Sequence, residues 1–259
     1  MEVLTAQDEF SAYGVSHWVV VAIFAVGAVA FIAIGRSHKD VASAVRFSKI
    51  FGATTFILYL IILIYSLIPF RIGSSIPLQL SDFAAVTAAY ALWSRRSWAF
   101  ALTYYWCLVL STQALISPAL QSPDFPHHEF IAFWAIHLAV VWAAIYLTWG
   151  LRTRPTWKSY GIAVGATLAW AAVTFTFNTL ADTNYGFLNG KPQTASLLDY
   201  MGPWPVYLLF AAVIVFATWA LMTWPWKFVS ADRYDTEPPR PESASGGSGG
   251  EYRRRAKSA

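Results

Sequence analysis

Asp82 and His137 are the residues of this chain whose types best suit proton transfer. Asp82 is the only carboxylate lying inside, rather than at the edge of, a long apolar stretch. His137 is embedded in another such stretch. An imidazole titrates near neutrality, and a carboxylate beside it can orient the ring or balance its charge. Ser81, next to Asp82, becomes a nucleophile if a base lies beside it. The plainer alternatives stand next to these. Asp82 and His137 could simply tie two helices by a hydrogen bond, and serines within a membrane usually bond their own helix or pack against a neighbour.

Other groups suggest chemistry less strongly. His128-Glu129 begins like the zinc-binding H-E-x-x-H pattern, but Ala132 fills the second histidine position, so His127, His128 and Glu129 read as an interfacial loop with no metal site. Cys107 is the single cysteine and lies in an apolar run, where it packs and has no disulfide partner. No residue pattern calls for a cofactor.

The elements that must position these residues are membrane helices. Hydrophobic residues make up 57% of the 259 and charged residues 12%, against roughly 45–50% and about 25% in soluble domains. A membrane helix needs about 20 apolar residues. Seven stretches qualify: 17–35, 50–68, 76–93, 98–116, 129–149, 160–180 and 203–223. Runs such as Phe56 to Ile64 do not alternate, which argues against a β-barrel. The fold class is all-α, a polytopic bundle of seven transmembrane helices. Pro203 suits the first turn of the last of them.

Lys and Arg set the orientation. Sixteen lie in alternate loops and the tail, including Arg36, Lys39, Arg46 and Lys49, then Arg95 and Arg96, then Arg152, Arg154 and Lys158; only Arg71 and Lys191 lie opposite. This puts the N-terminus outside and the C-terminus in the cytoplasm of a multipass cell-membrane protein. No basic segment precedes the first apolar run, so that run reads as a retained span. The net charge of +4 comes from bases spread over the cytoplasmic loops, which points to anionic lipid rather than nucleic acid. Residues 1–229 form the membrane domain; residues 230–259, rich in Pro, Ser, Gly and Arg, read as a disordered basic cytoplasmic tail. Trp18, Trp93, Trp98, Trp149, Trp204, Trp224 and Trp226 gather near span ends, as interfacial belts do.

Polar residues inside spans cluster at one depth. Gln79, Ser81 and Asp82 fall in the first two turns of the third span, Gln113 in the last turn of the fourth, His137 about two turns into the fifth and Asn178 near the end of the sixth. At 1.5 Å per residue they lie within roughly 5–12 Å of the outer boundary. Because buried polar groups face protein or water, they outline a pocket opening outward. Asn184, Tyr185, Lys191, Asp199 and Trp204 of the last outer loop complete it. An Asp at that depth costs about 2.5–3.5 kcal/mol and needs a partner, for which His137 is the candidate.

Pro77-Leu78-Gln79-Leu80-Ser81-Asp82 resembles the Pro-Leu-His-Leu-Cys stretch of the bacterial YwaF family of integral membrane proteins. Residues 183–207 resemble it most closely, through Thr183-Asn184-Tyr185, Lys191-Pro192, Ser196-Leu197-Leu198-Asp199 and Gly202-Pro203-Trp204-Pro205 with Tyr207. Pro155-Thr156-Trp157 and His137 also match, and the resemblance spans roughly residues 50–225. That family is distantly similar to a eukaryotic multipass group implicated in acyl transfer to ether phospholipids through a Cys-His site. The resemblance implies chemistry on membrane lipids. Gln79 stands where the family has histidine, Ser81 where it has cysteine, and Leu78 where the eukaryotic group carries its cysteine, so the expected chemistry rests on His137 with Asp82 or Ser81. A non-catalytic protein that binds lipid or scaffolds an envelope protein partner is the alternative reading. A transporter ranks below both, because no proline breaks a span at its middle.

Overall fold

In the computed structural model, residues 9–118, 120–192 and 197–229 are described, and among them the chain is helical with no strand. Seven long helices follow one another: α1 (Val15–Ser37), α2 (Val41–Ser66), α3 (Leu80–Ser94), α4 (Ser97–Ile116), α5 (His128–Gly150), α6 (Trp157–Ala181) and α7 (Val206–Phe228). Six of them are long and apolar enough to cross a membrane. At 15 residues, α3 falls short of the usual length. The tail at 230–259 lies outside the described residues.

The helix starts differ from the apolar runs because polar caps, not hydropathy, decide where helices begin. Helix α2 starts at Val41, well before residue 50, since Asp40 Oδ1 accepts from the Ser43 amide at 2.7 Å. Arg46 and Lys49 therefore sit on the helix rather than in a loop. The expected span at 76–93 becomes helical only at Leu80. There Asp82 Oδ2 accepts from the Gln79 amide at 2.9 Å and closes the first turn. Pro203 does not enter the first turn of α7, which begins at Val206; its carbonyl accepts from the Tyr207 amide at 3.1 Å just ahead of the helix. Thr156 Oγ1 caps α6 by accepting from the Ser159 amide at 3.1 Å.

Helices α4 and α5 form the buried centre, with α3 packed against both. Residues Thr103–Ser111 of α4 and Tyr146–Gly150 of α5 are wound as π-helix. The π stretch of α4 bonds outward: Tyr104 Oη donates to the Met222 carbonyl at 3.2 Å, Tyr105 Oη meets Thr223 Oγ1 at 2.6 Å, and Trp106 Nε1 donates to Thr167 Oγ1 at 2.8 Å. Cys107 is fully buried in the same stretch.

Around this centre α1 meets α5 at a pair of glycines. A Cβ on Gly35 would lie 2.5 Å from the Gly150 Cα, so only bare backbone lets the two helices approach this closely. At the same end Tyr146 Oη reaches His38 Nε2 at 3.0 Å and Ser48 Oγ at 3.2 Å, tying the α1–α2 turn to α5. The outward faces of α1, α2 and α7 expose Val26, Val29, Ile57, Ile61, Leu209 and Val213. Apolar surface of this extent suits hydrocarbon rather than water.

Candidate functional site

At the end of the bundle where α2 stops and α3 and α5 begin, a cavity of about 880 Å³ opens between these three helices. Its volume falls within the usual range for ligand pockets. The irregular chain joining α2 to α3 and the segment before α5 form its upper wall. Exposed Arg71, Ser81, His128 and Glu129 stand at its rim, and Tyr59, Ile62, Ala85, Ile136 and Val140 line its depth. Gln79, Asp82 and His137 also line it, as does Ser111 from α4. Helices α3 and α5 thus bring Gln79, Ser81, Asp82 and His137 to one space.

His137 has a defined tautomer. Its Nδ1 lies 2.7 Å from the Phe133 carbonyl. A carbonyl can only accept, so Nδ1 carries a proton, and in the neutral form of the ring the lone pair is on Nε2. The Phe133 ring packs 4.3 Å from the imidazole, centroid to centroid, and fixes its plane.

Asp82 differs from the expected pair. Among the described residues no hydrogen bond or ion pair joins it to His137; Oδ2 instead accepts from the Gln79 amide and caps α3. Gln79 is similarly engaged: its Oε1 accepts from the Gly186 amide at 3.0 Å. Helix ends leave backbone N–H groups in need of acceptors, and a carboxylate in the first turn meets that need locally.

The remaining expected residues lie outside the cavity. Gln113 points from α4 to an exposed surface. Asn178 is buried at the end of α6, its Oδ1 accepting from the Tyr185 amide (2.9 Å) and Thr183 Oγ1 (2.8 Å) while Nδ2 donates to the Tyr185 carbonyl (2.9 Å). Every polar atom of that side chain serves the loop. Asn184 bonds Gly190 and Asn189. Lys191 Nζ lies 3.8 Å from Asp199 Oδ1 and over the Tyr207 ring. Trp204 Nε1 donates to the Leu188 carbonyl at 3.0 Å, and Tyr207 Oη donates to the Phe187 carbonyl.

This last loop is a clamp. The buried Tyr185 accepts from the Ile76 amide at 3.0 Å and donates to the Ile72 carbonyl at 2.8 Å, pinning the cavity's upper wall. Burial raises the Tyr185 phenol above its ordinary value, so it remains a donor. Trp170 Nε1 of α6 holds the same wall through the Leu78 carbonyl at 3.0 Å.

Two residues escaped the sequence reading. His17 is buried, accepts from the Tyr13 amide on Nδ1 and donates from Nε2 to the Leu115 carbonyl at 2.9 Å, a structural role. Ser111 lines the cavity where Gln113 was expected. The wide turn of the π stretch changes which residues share a face, and hydropathy carries no sign of it.

Long helices with apolar outer faces, six of them long and apolar enough to cross a membrane, define a multipass membrane protein. The chain belongs to the TMEM164 family, which it matches over residues 12–223, from just before α1 to the last α-helical residue of α7. No curated protein and no solved structure matches it.

Proposed function

We propose that this protein crosses the cell membrane seven times, with its N-terminus outside, and carries out acyl transfer or hydrolysis on ester bonds of membrane lipids in the outer leaflet. His137 is the general base. The observation that carries this reading is the imidazole held through Nδ1 to the Phe133 carbonyl, leaving Nε2 as the base of a cavity between membrane helices. A proton acceptor positioned in this way contributes typically about 10²–10⁴-fold to such reactions.

The seventh pass is α3. Its 15 residues give a helix of about 22 Å, less than the hydrocarbon thickness of about 30 Å. The irregular chain at 67–79 makes up the difference, because non-helical backbone is tolerated at membrane depth where it is buried in protein or lines a cavity. Only Arg95 and Arg96 separate α3 from α4, so the two run antiparallel, and alternation of the Lys and Arg residues then gives the orientation.

Lipid as substrate is supported by the apolar depth of the cavity at Ile62, Ile136 and Val140, by the cationic Arg71 at the rim and by the resemblance to the YwaF family. Asp82 adds a carboxyl group to the cavity lining, and Ser81 a hydroxyl at its rim. One observation favours a non-catalytic lipid-binding or scaffolding role instead: Asp82 and Gln79 are engaged in holding α3 and the loop at Gly186. Mass-spectrometric lipid analysis separates the two readings, using cells lacking the protein and cells restored with wild type or His137→Ala. The enzyme reading expects a lipid species that changes on deletion and returns only with wild type. Equal restoration by both proteins overturns the role of His137, and an unchanged lipid profile overturns the enzyme reading.

A further inference from the structure

We propose that Ser111 is the nucleophile of this cavity; this rests on the reading of His137 as the base. Ser111 ends the π stretch of α4, is 5% exposed and lines the cavity together with His137. Helical hydroxyls ordinarily bond a carbonyl one turn back, as Thr55, Thr87, Thr103, Thr167 and Thr223 do here. For Ser111 the carbonyl four residues back belongs to Cys107. The Thr112 hydroxyl bonds that carbonyl instead, at 3.4 Å across five residues, a reach that suits a π turn. Among the described residues Ser111 Oγ has no hydrogen-bond partner. Thr148, Thr153 and Thr174 have buried hydroxyls without partners too, but none of them lines the cavity. Ser81 does line it, at the exposed rim, whereas Ser111 combines enclosure with a hydroxyl left unbonded.

The step is a transfer of the acyl group through serine. Ser111 Oγ attacks the carbonyl carbon of a lipid ester and its proton passes to His137 Nε2. The bond between the carbonyl carbon and the leaving oxygen breaks, and that oxygen takes the proton from His137. The acyl group is then an ester of Ser111. A lysolipid hydroxyl or a water molecule attacks this ester, gives its proton to His137, and Ser111 Oγ recovers that proton as its bond to the acyl carbon breaks. A serine with a base in the same cavity can be activated in this manner when the two come within reach, and π-turns within helices frequently coincide with functional sites.

The test uses the purified full-length chain in phospholipid nanodiscs, treated with an alkyl fluorophosphonate and mapped by peptide mass spectrometry, alongside turnover of a phospholipid with a fluorescent acyl chain. The expected adduct is on Ser111, absent in Ser111→Ala and formed about 10²-fold more slowly in His137→Ala. Ser111→Cys, close in size, keeps the fold and accumulates a hydroxylamine-sensitive acyl thioester. An adduct on Ser81, or undiminished turnover in Ser111→Ala, overturns Ser111 as nucleophile while His137-dependent turnover still stands. Absence of both the adduct and any His137-dependent turnover overturns both readings.

Discussion

The Gly186 amide donates to Gln79 Oε1 across 3.0 Å, joining the last loop of the chain to the residue that precedes α3. Gly186 holds φ at +66°, and a Cβ there would lie 2.5 Å from the Trp170 ring. Both the backbone conformation and the close approach demand glycine. Trp170 in turn bonds Leu78. Loop, α6 and the entry to α3 therefore share one small contact, and the cavity wall depends on it.

Gly186→Ala is expected to destabilise the protein by about 1–3 kcal/mol, the usual cost of forcing an extra carbon into a filled space. Thermal unfolding in detergent measures it. A variant as stable as wild type would show that the loop does not clamp the wall.

Asp82 can be separated into its cap and its charge. Asp82→Asn keeps an oxygen to accept from the Gln79 amide and is expected to match wild-type stability. Asp82→Ala loses that acceptor and is expected to cost about 0.5–2 kcal/mol, as for loss of a helix cap. Unfolding of the two side by side checks this; equal loss in both would make the charge, not the cap, the stabilising element.

Two helix glycines should respond in opposite directions. Gly35→Ala drives a Cβ into the Gly150 backbone and is expected to destabilise by about 1–3 kcal/mol. Gly161, within α6, has nothing within 4 Å of a built Cβ, so Gly161→Ala is expected to stabilise by about 0.5–1 kcal/mol. The same unfolding assay reads both, and destabilisation by both would remove the close α1–α5 crossing as the cause.

His38 in the α1–α2 turn gives a pH dependence. Desolvation lowers its pKa from 6.5; Asp40 opposes this and Arg95 adds to it. The unfolded chain therefore binds a proton more readily than the folded one. The contribution of neutral His38 is complete above the unfolded value and is lost as pH falls through 6.5 toward the lower folded value. Wild type is expected to lose more stability than His38→Phe between pH 7.5 and 5.5. Parallel melting curves would assign the acid loss elsewhere.

Much of this architecture was legible in the sequence. The seven apolar stretches correspond to the seven helices; of the six polar residues expected at one depth, Gln79, Ser81, Asp82 and His137 line the cavity and Gln113 and Asn178 do not. What misled was chemistry local to the ends. Asp40 with Ser43 starts α2 early, and Asp82 with Gln79 starts α3 late, because a side chain meeting a backbone amide outweighs hydropathy at a helix terminus. Asn178, Asn184, Tyr185 and Lys191 have the residue types of a binding site, yet their polar atoms are occupied within their own loop and its neighbours. Composition alone does not distinguish a polar group waiting for a ligand from one already satisfied.

The π winding of α4 has a consequence for variation along the chain. In α1 or α6, positions that tolerate exchange among apolar residues of different size should recur about every 3.6 residues, as the lipid-facing side comes round. Between Thr103 and Ser111 the turn is wider, and the rhythm of tolerance should lengthen to match. A saturation scan of α4 would read as two regular patterns out of step, with the break falling on the residues that join α6 and α7 to the centre of the bundle.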